Sequence, residues 1–246
     1  ISMIMDNKLI YNAIVSKEKT KKLDFSLINN NFKKMNLRYG LNRFDKVYYI
    51  NLNRRTDRLK HILTELNKTN ISEHKITRIE ACDIPNFGAL GCSKSHIMAL
   101  ENFLNTDETI QTCIILEDDF WFLVDQKTIN EKVEAFFNDI KDWDVLSFAS
   151  SIYKENRVND YLVKIYEGQT LSGYCVNKKF AQTLLNNYKD SVNNLEKIGY
   201  KVCEYCIDNY MTKLQPLCNW YCFNPKIAKQ IASYSDIELK YVNYKS

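Results

Sequence analysis

Three carboxylates in a row, Glu117, Asp118 and Asp119, follow the apolar run Ile114-Ile115-Leu116 and precede Phe120-Trp121. Adjacent acids repel one another, and nothing nearby in the sequence relieves that repulsion unless a cation offsets it. Hard carboxylate oxygens suit Mn²⁺ or Mg²⁺. Such an ion can bridge a diphosphate and neutralise a leaving group. On the triplet alone, metal binding stands level with an ordinary acidic turn capping the next helix.

Two other segments carry residue types that meet anions. Tyr49-Ile50-Asn51-Leu52-Asn53-Arg54-Arg55-Thr56-Asp57-Arg58 places three arginines where a strand runs into a helix. Guanidinium groups beside helix N-terminal amides suit a phosphate or a nucleotide. Taken singly, a solvated first turn with an Arg–Asp pair explains the segment as well. Gly88-Ala89-Leu90-Gly91-Cys92-Ser93-Lys94-Ser95-His96 has two glycines that permit close backbone approach, with Ser95 and His96 expected in the first helical turn. Alone it is a weak pattern, since a single His at a helix start is more often a structural hydrogen-bonder.

Further residues have bland readings that are preferred. Cys203-x₂-Cys206 and Cys218-x₃-Cys222 have the spacing of a four-thiolate zinc site. Cys206 nevertheless fits the apolar side of a helix, and Cys218 and Cys222 lie in the apolar run LCNWYCF. Phe120-Trp121-Phe122 and Trp220-Tyr221 offer platforms for sugar rings, and core packing explains them equally well.

These residues need a scaffold, and the hydrophobic pattern supplies one. Val47–Leu52 reads as a buried strand, and Leu59, Ile62, Leu63 and Leu66 recur at helical spacing with Thr56 placed to cap. Strands are expected at Ile76–Ala81, Thr112–Leu116 and Asp144–Ala149, and helices at Gly91–Leu104 and around Ile129–Ile140. Tyr161–Tyr166 and Ser172–Val176 read as a strand pair, followed by helices Lys178–Tyr188 and about Glu204–Leu214. Strands alternating with helices imply an α/β fold with a largely parallel sheet. In such sheets ligands gather at the carboxyl ends of strands, where all three polar segments fall. Residues 1–43 are rich in Lys and Asn without a clean period, and read as an extension or linker before a catalytic domain over 44–246.

Composition narrows the function classes. A chain of 246 residues that is 45% hydrophobic and 26% charged can bury a full core. A net charge of +4 with interleaved acidic and basic runs makes no case for nucleic acid. No stretch approaches the ~20 apolar residues of a membrane span. Ile1–Ile10 lacks the apolar run of a signal peptide. A start at Ile rather than Met is expected of a piece of a longer protein, so that a native targeting signal, if there is one, would fall outside this sequence. The 8 Cys are dispersed, several in apolar runs, as expected of free thiols in the cytoplasm or another reducing compartment.

Together and in this order, the three segments resemble glycosyltransferase family 25, which includes lipopolysaccharide sugar transferases and procollagen galactosyltransferases. Members look like INL-x-R-R-x-D-R, then G-E-x-G-C-x-x-S-H, then E-D-D after a buried strand. Here these stand as Ile50–Arg58, Gly88–His96 and Glu117–Asp119. Weaker echoes are Trp143-Asp144-Val145-Leu146, Ser172-Gly173-Tyr174, Ile207-Asp208-Asn209 and Ser235-Asp236-Ile237-Glu238. The resemblance runs from about Phe44 to Glu238. It departs at Ala89, where the family has an acid.

The resemblance implies a GT-A-type fold, a mostly parallel central sheet flanked by helices, with Mn²⁺ (or Mg²⁺) and a UDP-sugar donor. Glu117 and Asp119 would take the two ends of a DxD-like metal motif, and Asp118 would meet the donor ribose or sugar. Asn51, Arg54, Arg55 and Arg58 would line the nucleotide, Ser95 and His96 the diphosphate or its sugar, and Asp236 would close over the diphosphate. Asp208 matches a family aspartate and is the expected general base of an inverting transfer, with Glu204, Asp144 and Asp142 in reserve. The product would be a hexosylated (galactosyl or glucosyl) hydroxyl on a glycan or on hydroxylysine of a collagen-like protein. An isologous homodimer is the default assembly. Two competing functions are a non-catalytic nucleotide- or carbohydrate-binding domain, suggested by Ala89, and a metal-dependent phosphohydrolase. The second lacks the extra His and Asp ligands of a two-metal site.

Overall fold

The computed structural model describes residues 38–198 and 203–243; residues 1–37 of the expected extension lie outside the described residues. From Arg38 the chain already belongs to the main body. Gly40–Arg43 forms a 3₁₀ turn with Leu41 in the core. Gly40 has φ +57, and a Cβ there would collide with Asn130, so this turn requires glycine.

The chain alternates β1 (Lys46–Asn51), α1 (Thr56–Asn67), β2 (Ile76–Glu80), α2 (Gly88–Leu104) and β3 (Thr112–Glu117). β4 (Phe120–Phe122), α3 (Gln126–Asp139), β5 (Val145–Ser147), β6 (Ser151–Arg157), β7 (Leu162–Gln169), β8 (Gly173–Asn177) and α4 (Lys178–Ile198) follow. The chain ends through α5 (Ile207–Tyr210), β9 (Trp220–Phe223), β10 (Ala228–Gln230), β11 (Ser233–Ser235) and β12 (Lys240–Val242).

The central sheet has 8 strands in the order β2-β1-β3-β8-β5-β9-β7-β6. Strands β1, β2, β3, β5, β6 and β9 run one way, while β7 and β8 run against them. This is the expected α/β sheet flanked by helices. The expected hairpin of β7 and β8 does not form. β8 inserts between β3 and β5, and β7 pairs with β9 and with β6, which the sequence reading missed. β6 is mostly exposed and polar (SIYKENR), so it lacks the alternation that marks a half-buried strand.

Successive side chains on a strand point to opposite faces, and this splits the core in two. Val47, Tyr49, Ile114 and Leu116 pack with Ile62 and Leu66 of α1 and with Ile129, Val133 and Phe136 of α3. Tyr48, Ile50, Cys113 and Ile115 pack on the other face with Leu100 and Phe103 of α2 and with Leu184 and Tyr188 of α4. From β1 the chain passes through α1 to β2 on one side, and then through α2 to β3 on the other. The carboxyl ends of β1 and β3 therefore flank the switch point, where a crevice opens in such sheets.

Several element ends differ from expectation. Thr56 is the first residue of α1, not its cap, and Arg55 at the cap position makes no side-chain cap bond. α2 starts at Gly88, so Ser95 and His96 lie beyond its first turn and face the core. α4 runs on to Ile198. The helix expected over Glu204–Leu214 is instead α5 with 3₁₀ turns on either side. Among the described residues no helix is long and apolar enough to cross a membrane.

Candidate functional site

An open cleft lies at the switch point. Asn51 at the end of β1, Glu117–Asp119 at the end of β3, Cys92 and Ser95 of α2, Gln230 of β10 and Asp236 of the β11–β12 hairpin all reach its walls. The arginine segment, the glycine segment and the acidic triplet thus meet in one place.

Strand register fixes the first contacts. Ile50 pairs with Glu117 across the β1–β3 ladder, which brings Asn51 beside Asp118. The buried Asn51 donates from Nδ2 to Asp118 Oδ2 (2.7 Å) and accepts from Arg78 Nη2 at Oδ1 (2.7 Å). Arg58, one turn into α1, donates from Nη1 to Asp118 Oδ1 (3.0 Å) and lies 3.2 Å from Asp119 Oδ2. Its Nη2 donates to Ser233 Oγ (2.7 Å) and Tyr234 O (2.9 Å), joining the acids to the hairpin.

Arg54 and Arg55 clamp the same hairpin. Arg54 donates to Asp83 Oδ2 and Asp236 Oδ1, each at 2.7 Å. Arg55 donates to Asp236 Oδ2 (2.5 Å) and makes a two-pronged contact with Asp57 (3.0 and 2.8 Å). One carboxylate therefore bridges two guanidinium groups, the arrangement a phosphate would also satisfy. Burial alone would raise the Asp236 pKa, but hydrogen bonds from Arg54 and Arg55 outweigh it and hold the carboxyl below its ordinary value.

The triplet is electrostatically divided. Burial, with Glu117 and Asp118 nearby, pushes Asp119 up to about 7, against the pull of Arg58. Asp118 is also raised by burial, with Arg58 and Asn51 opposing. Burial works to raise Glu117 too, yet the hydrogen bond and charge of His96 and the charge of Arg58 prevail and lower it. Three acids share Arg58 as their permanent cation, with His96 adding charge only when protonated, and a divalent cation can offset the negative charge that remains. Gln230 Nε2 lies 3.2 Å from Glu117 Oε2 and 3.4 Å from Asp119 Oδ1, so both carboxylates face a shared point.

Gln230 went unnoticed in the sequence. It reaches the triplet because β10 pairs antiparallel with β4, opposing Gln230 to Phe120. Ile231 N also donates to Asp119 O (2.8 Å). A three-residue strand far along the chain leaves no local signal for such a contact.

Ser95 and His96 are fully buried, and their polar atoms are occupied within the protein. Ser95 Oγ donates to Gly91 O (2.7 Å) and accepts from Cys82 N (2.9 Å), which holds the loop after β2 against α2. His96 Nδ1 meets Tyr174 Oη (3.1 Å) and its Nε2 meets Glu117 Oε1 (3.2 Å). Ser95 thus stands at the cleft wall and His96 behind Glu117, each held by protein partners. Gly91 has no room for a Cβ, which would stand 2.4 Å from Cys82 O.

The echo Ser172-Gly173-Tyr174 acquires a physical meaning here. Ser172 O accepts from Glu117 N (2.8 Å), Gly173 lies under the Phe120 ring, and Tyr174 reaches His96. Asp208, half-buried at the start of α5, is not on the cleft wall but feels both Glu117 and His96. Burial and the Glu117 charge raise its pKa. Asp144 and Asp142 lie away from the cleft. Asp144 precedes β5, at the sheet's opposite end, where it accepts from Asn219 N (2.8 Å) and pairs with Lys179. Asp142 bonds Lys179 and Asn219.

The aromatic groups are mainly core. Phe120, Phe122 and Trp220 are buried, whereas Trp121 is exposed with Lys229 Nζ 4.8 Å from its ring centre. Among the described cysteines all are free, and Cys218 and Cys222 are buried in the core.

No protein-family model matches the chain, and no curated protein matches it in sequence. Among solved structures it is similar to a glycosyltransferase involved in the glycosylation of the major capsid of PBCV-1, at 10% identity and TM-score 0.46, covering 78% of this chain and 95% of that one. It is similar to A197 from STIV at 14% identity and TM-score 0.45, covering 81% and 93%. It is also similar to the apo-form glycosyltransferase GlyE of Streptococcus pneumoniae TIGR4 at 11% identity and TM-score 0.42, covering 72% and 44%.

Proposed function

We propose that the chain is a metal-dependent glycosyltransferase that moves a hexose, galactose or glucose, from a UDP-sugar to a hydroxyl acceptor on a glycan or a collagen-like protein. The observation that carries this reading is the meeting of Arg54 and Arg58 with Glu117, Asp118 and Asp119 in one switch-point cleft, with Arg55 behind them on Asp236. Guanidinium groups on one wall suit a diphosphate, and uncompensated carboxylates on the other suit a hard cation.

In this reading Glu117 and Asp119 hold Mn²⁺ or Mg²⁺, whose charge would offset that of the departing diphosphate. Asn51 and Asp118 face the ribose or sugar. Arg54 and Arg55 exchange the Asp236 carboxylate for phosphate oxygens, and Asp236 then closes the hairpin from outside. Ser95 and His96 act indirectly, by fixing the loop after β2 and orienting Glu117. Asp208 takes the proton of the acceptor hydroxyl as that oxygen attacks the anomeric carbon. Its raised pKa brings a carboxylate closer to the range a base needs.

The test is a panel of nucleotide sugars with Mn²⁺, with released nucleoside diphosphate assayed with and without hydroxyl acceptors. Acceptor-stimulated release from a UDP-hexose supports the transferase. Metal-dependent UDP binding without release would point to a binding domain, and phosphate release from simple esters to a hydrolase.

A further inference from the structure

Behind the acidic triplet, Cys92 and His96 stand one turn apart on α2 and both face Glu117. Cys92 Sγ is 3.6 Å and His96 Nε2 3.2 Å from the same oxygen, Glu117 Oε1. All three ligand atoms lie within 4.8 Å of one another. Among the described residues no other group of His, Cys, Asp and Glu comes together this closely.

We infer that Cys92, His96 and Glu117 form a second metal site, selective for a soft or borderline divalent cation of the zinc type and separate from the hard-cation position between Glu117 and Asp119. The two separations to Glu117 Oε1 match the chemistry. Tetrahedral zinc with bonds of about 2.3 Å to sulfur and about 2.0 Å to nitrogen and oxygen puts S and O about 3.5 Å apart, and N and O about 3.3 Å apart. The donor set of thiolate, imidazole and carboxylate favours zinc over magnesium or manganese.

Support for the ligands is already built. Tyr174 Oη meets His96 Nδ1 at 3.1 Å, and a hydrogen bond on the far nitrogen fixes which nitrogen faces a metal. His96 is fully buried, so its ring is held by packing against Tyr174 and Tyr188. Cys92 and Glu117 reach the cleft wall, which leaves the fourth position towards solvent. Glu117 divides its two oxygens between the sites: Oε1 faces Cys92 and His96, and Oε2 faces Gln230 beside Asp119. On binding, the Cys92 thiol proton leaves to solvent and the sulfur bonds as thiolate. The site stands whether or not the chain transfers sugar.

The test is titration of the metal-free chain with Zn²⁺ against a chromophoric chelator, and with Co²⁺ followed by absorption. One metal per chain is expected, with a thiolate-to-cobalt charge-transfer band. Cys92→Ser should abolish the band and weaken zinc by more than the about 10- to 100-fold that loss of a supporting partner costs. Cys82→Ser should keep both. X-ray absorption of the wild-type zinc form should show one sulfur at about 2.3 Å, a readout that needs no variant to fold. A zinc shell without sulfur, or affinity unchanged in Cys92→Ser, would overturn the assignment.

Discussion

Arg58 Nη1 lies 3.2 Å from Asp119 Oδ2, so the first helix after β1 supplies positive charge to the last acid after β3. Both side chains are largely buried, at 12% and 6% exposure. Removing one partner of such a pair leaves the other charged in a poor solvent, at a cost of about 3–5 kcal/mol. Arg58→Ala should therefore lower the urea midpoint substantially, while Arg58→Lys keeps the charge and loses less. Equal midpoints for Arg58→Ala and wild type would show that solvent already screens the triplet.

Asp119 gives a pH signature. Its pKa rises from 3.8 to about 7 on folding, so between these values the folded chain holds a proton that the unfolded chain has released. Stability then falls as pH rises through that window, and the loss is complete above the folded value. The metal-free wild type should melt lower at pH 8 than at pH 5, and Asp119→Asn should flatten the slope. A cation at 100 times its Kd should restore about 2.7 kcal/mol to the wild type at the higher pH. A melting temperature that instead rises from pH 5 to pH 8 would contradict the assignment.

Asp236 shifts the opposite way. Its folded pKa lies below 3.8, so its bond to Arg54 and Arg55 contributes at neutral pH and is lost only as pH falls through that lowered value. Arg54 keeps half of its surface in solvent, which screens this cluster, so Asp236→Ala should cost less than loss of the Arg58 pair, on the order of 1 kcal/mol of global stability. Its effect should be local: faster amide exchange over Ser233–Val242, and weaker protection of that hairpin by bound UDP. Unchanged exchange there would show that the arginines do not hold the hairpin.

The parts legible in the sequence are those whose signal is local. β1 and β3 are uninterrupted apolar runs, and their polar ends, Asn51 and Glu117–Asp119, mark the crevice because strands of a parallel set end on the same side. Gln230 and the Cys92–His96–Glu117 group were not legible, because each depends on a register or helix phase that no single segment carries. Starting α2 three residues late placed Ser95 and His96 in its first turn, whereas the helix begins at Gly88 and carries both further in, towards the core. β6 was lost for a different reason: an exposed edge strand with Lys, Glu and Arg carries no hydrophobic period.

Gly173 tests whether the strand beside the triplet tolerates any side chain. A Cβ there would stand 2.2 Å from Phe120 Cε2 and 3.3 Å from Leu116 Cδ2. Phe120 is fully buried and has no room to retreat. Overpacking of this kind costs about 1–3 kcal/mol. Gly173→Ala should lose that amount by denaturant unfolding and also weaken Mn²⁺ binding, since Glu117 N bonds the adjoining Ser172 O. Loss of stability with metal affinity intact would uncouple the strand from the site.

The most direct measurement is the rate of UDP release from a UDP-hexose with Mn²⁺ and acceptor, compared across wild type, chelated wild type, Asp119→Ala and Asp208→Asn. Release is expected from the wild type alone at full rate, with its loss on chelation and in Asp119→Ala, and a fall of about 10²–10⁴-fold in kcat for Asp208→Asn with UDP binding retained. Release that survives both chelation and Asp119→Ala, or a wild type that neither releases nor binds UDP, would contradict the transferase reading.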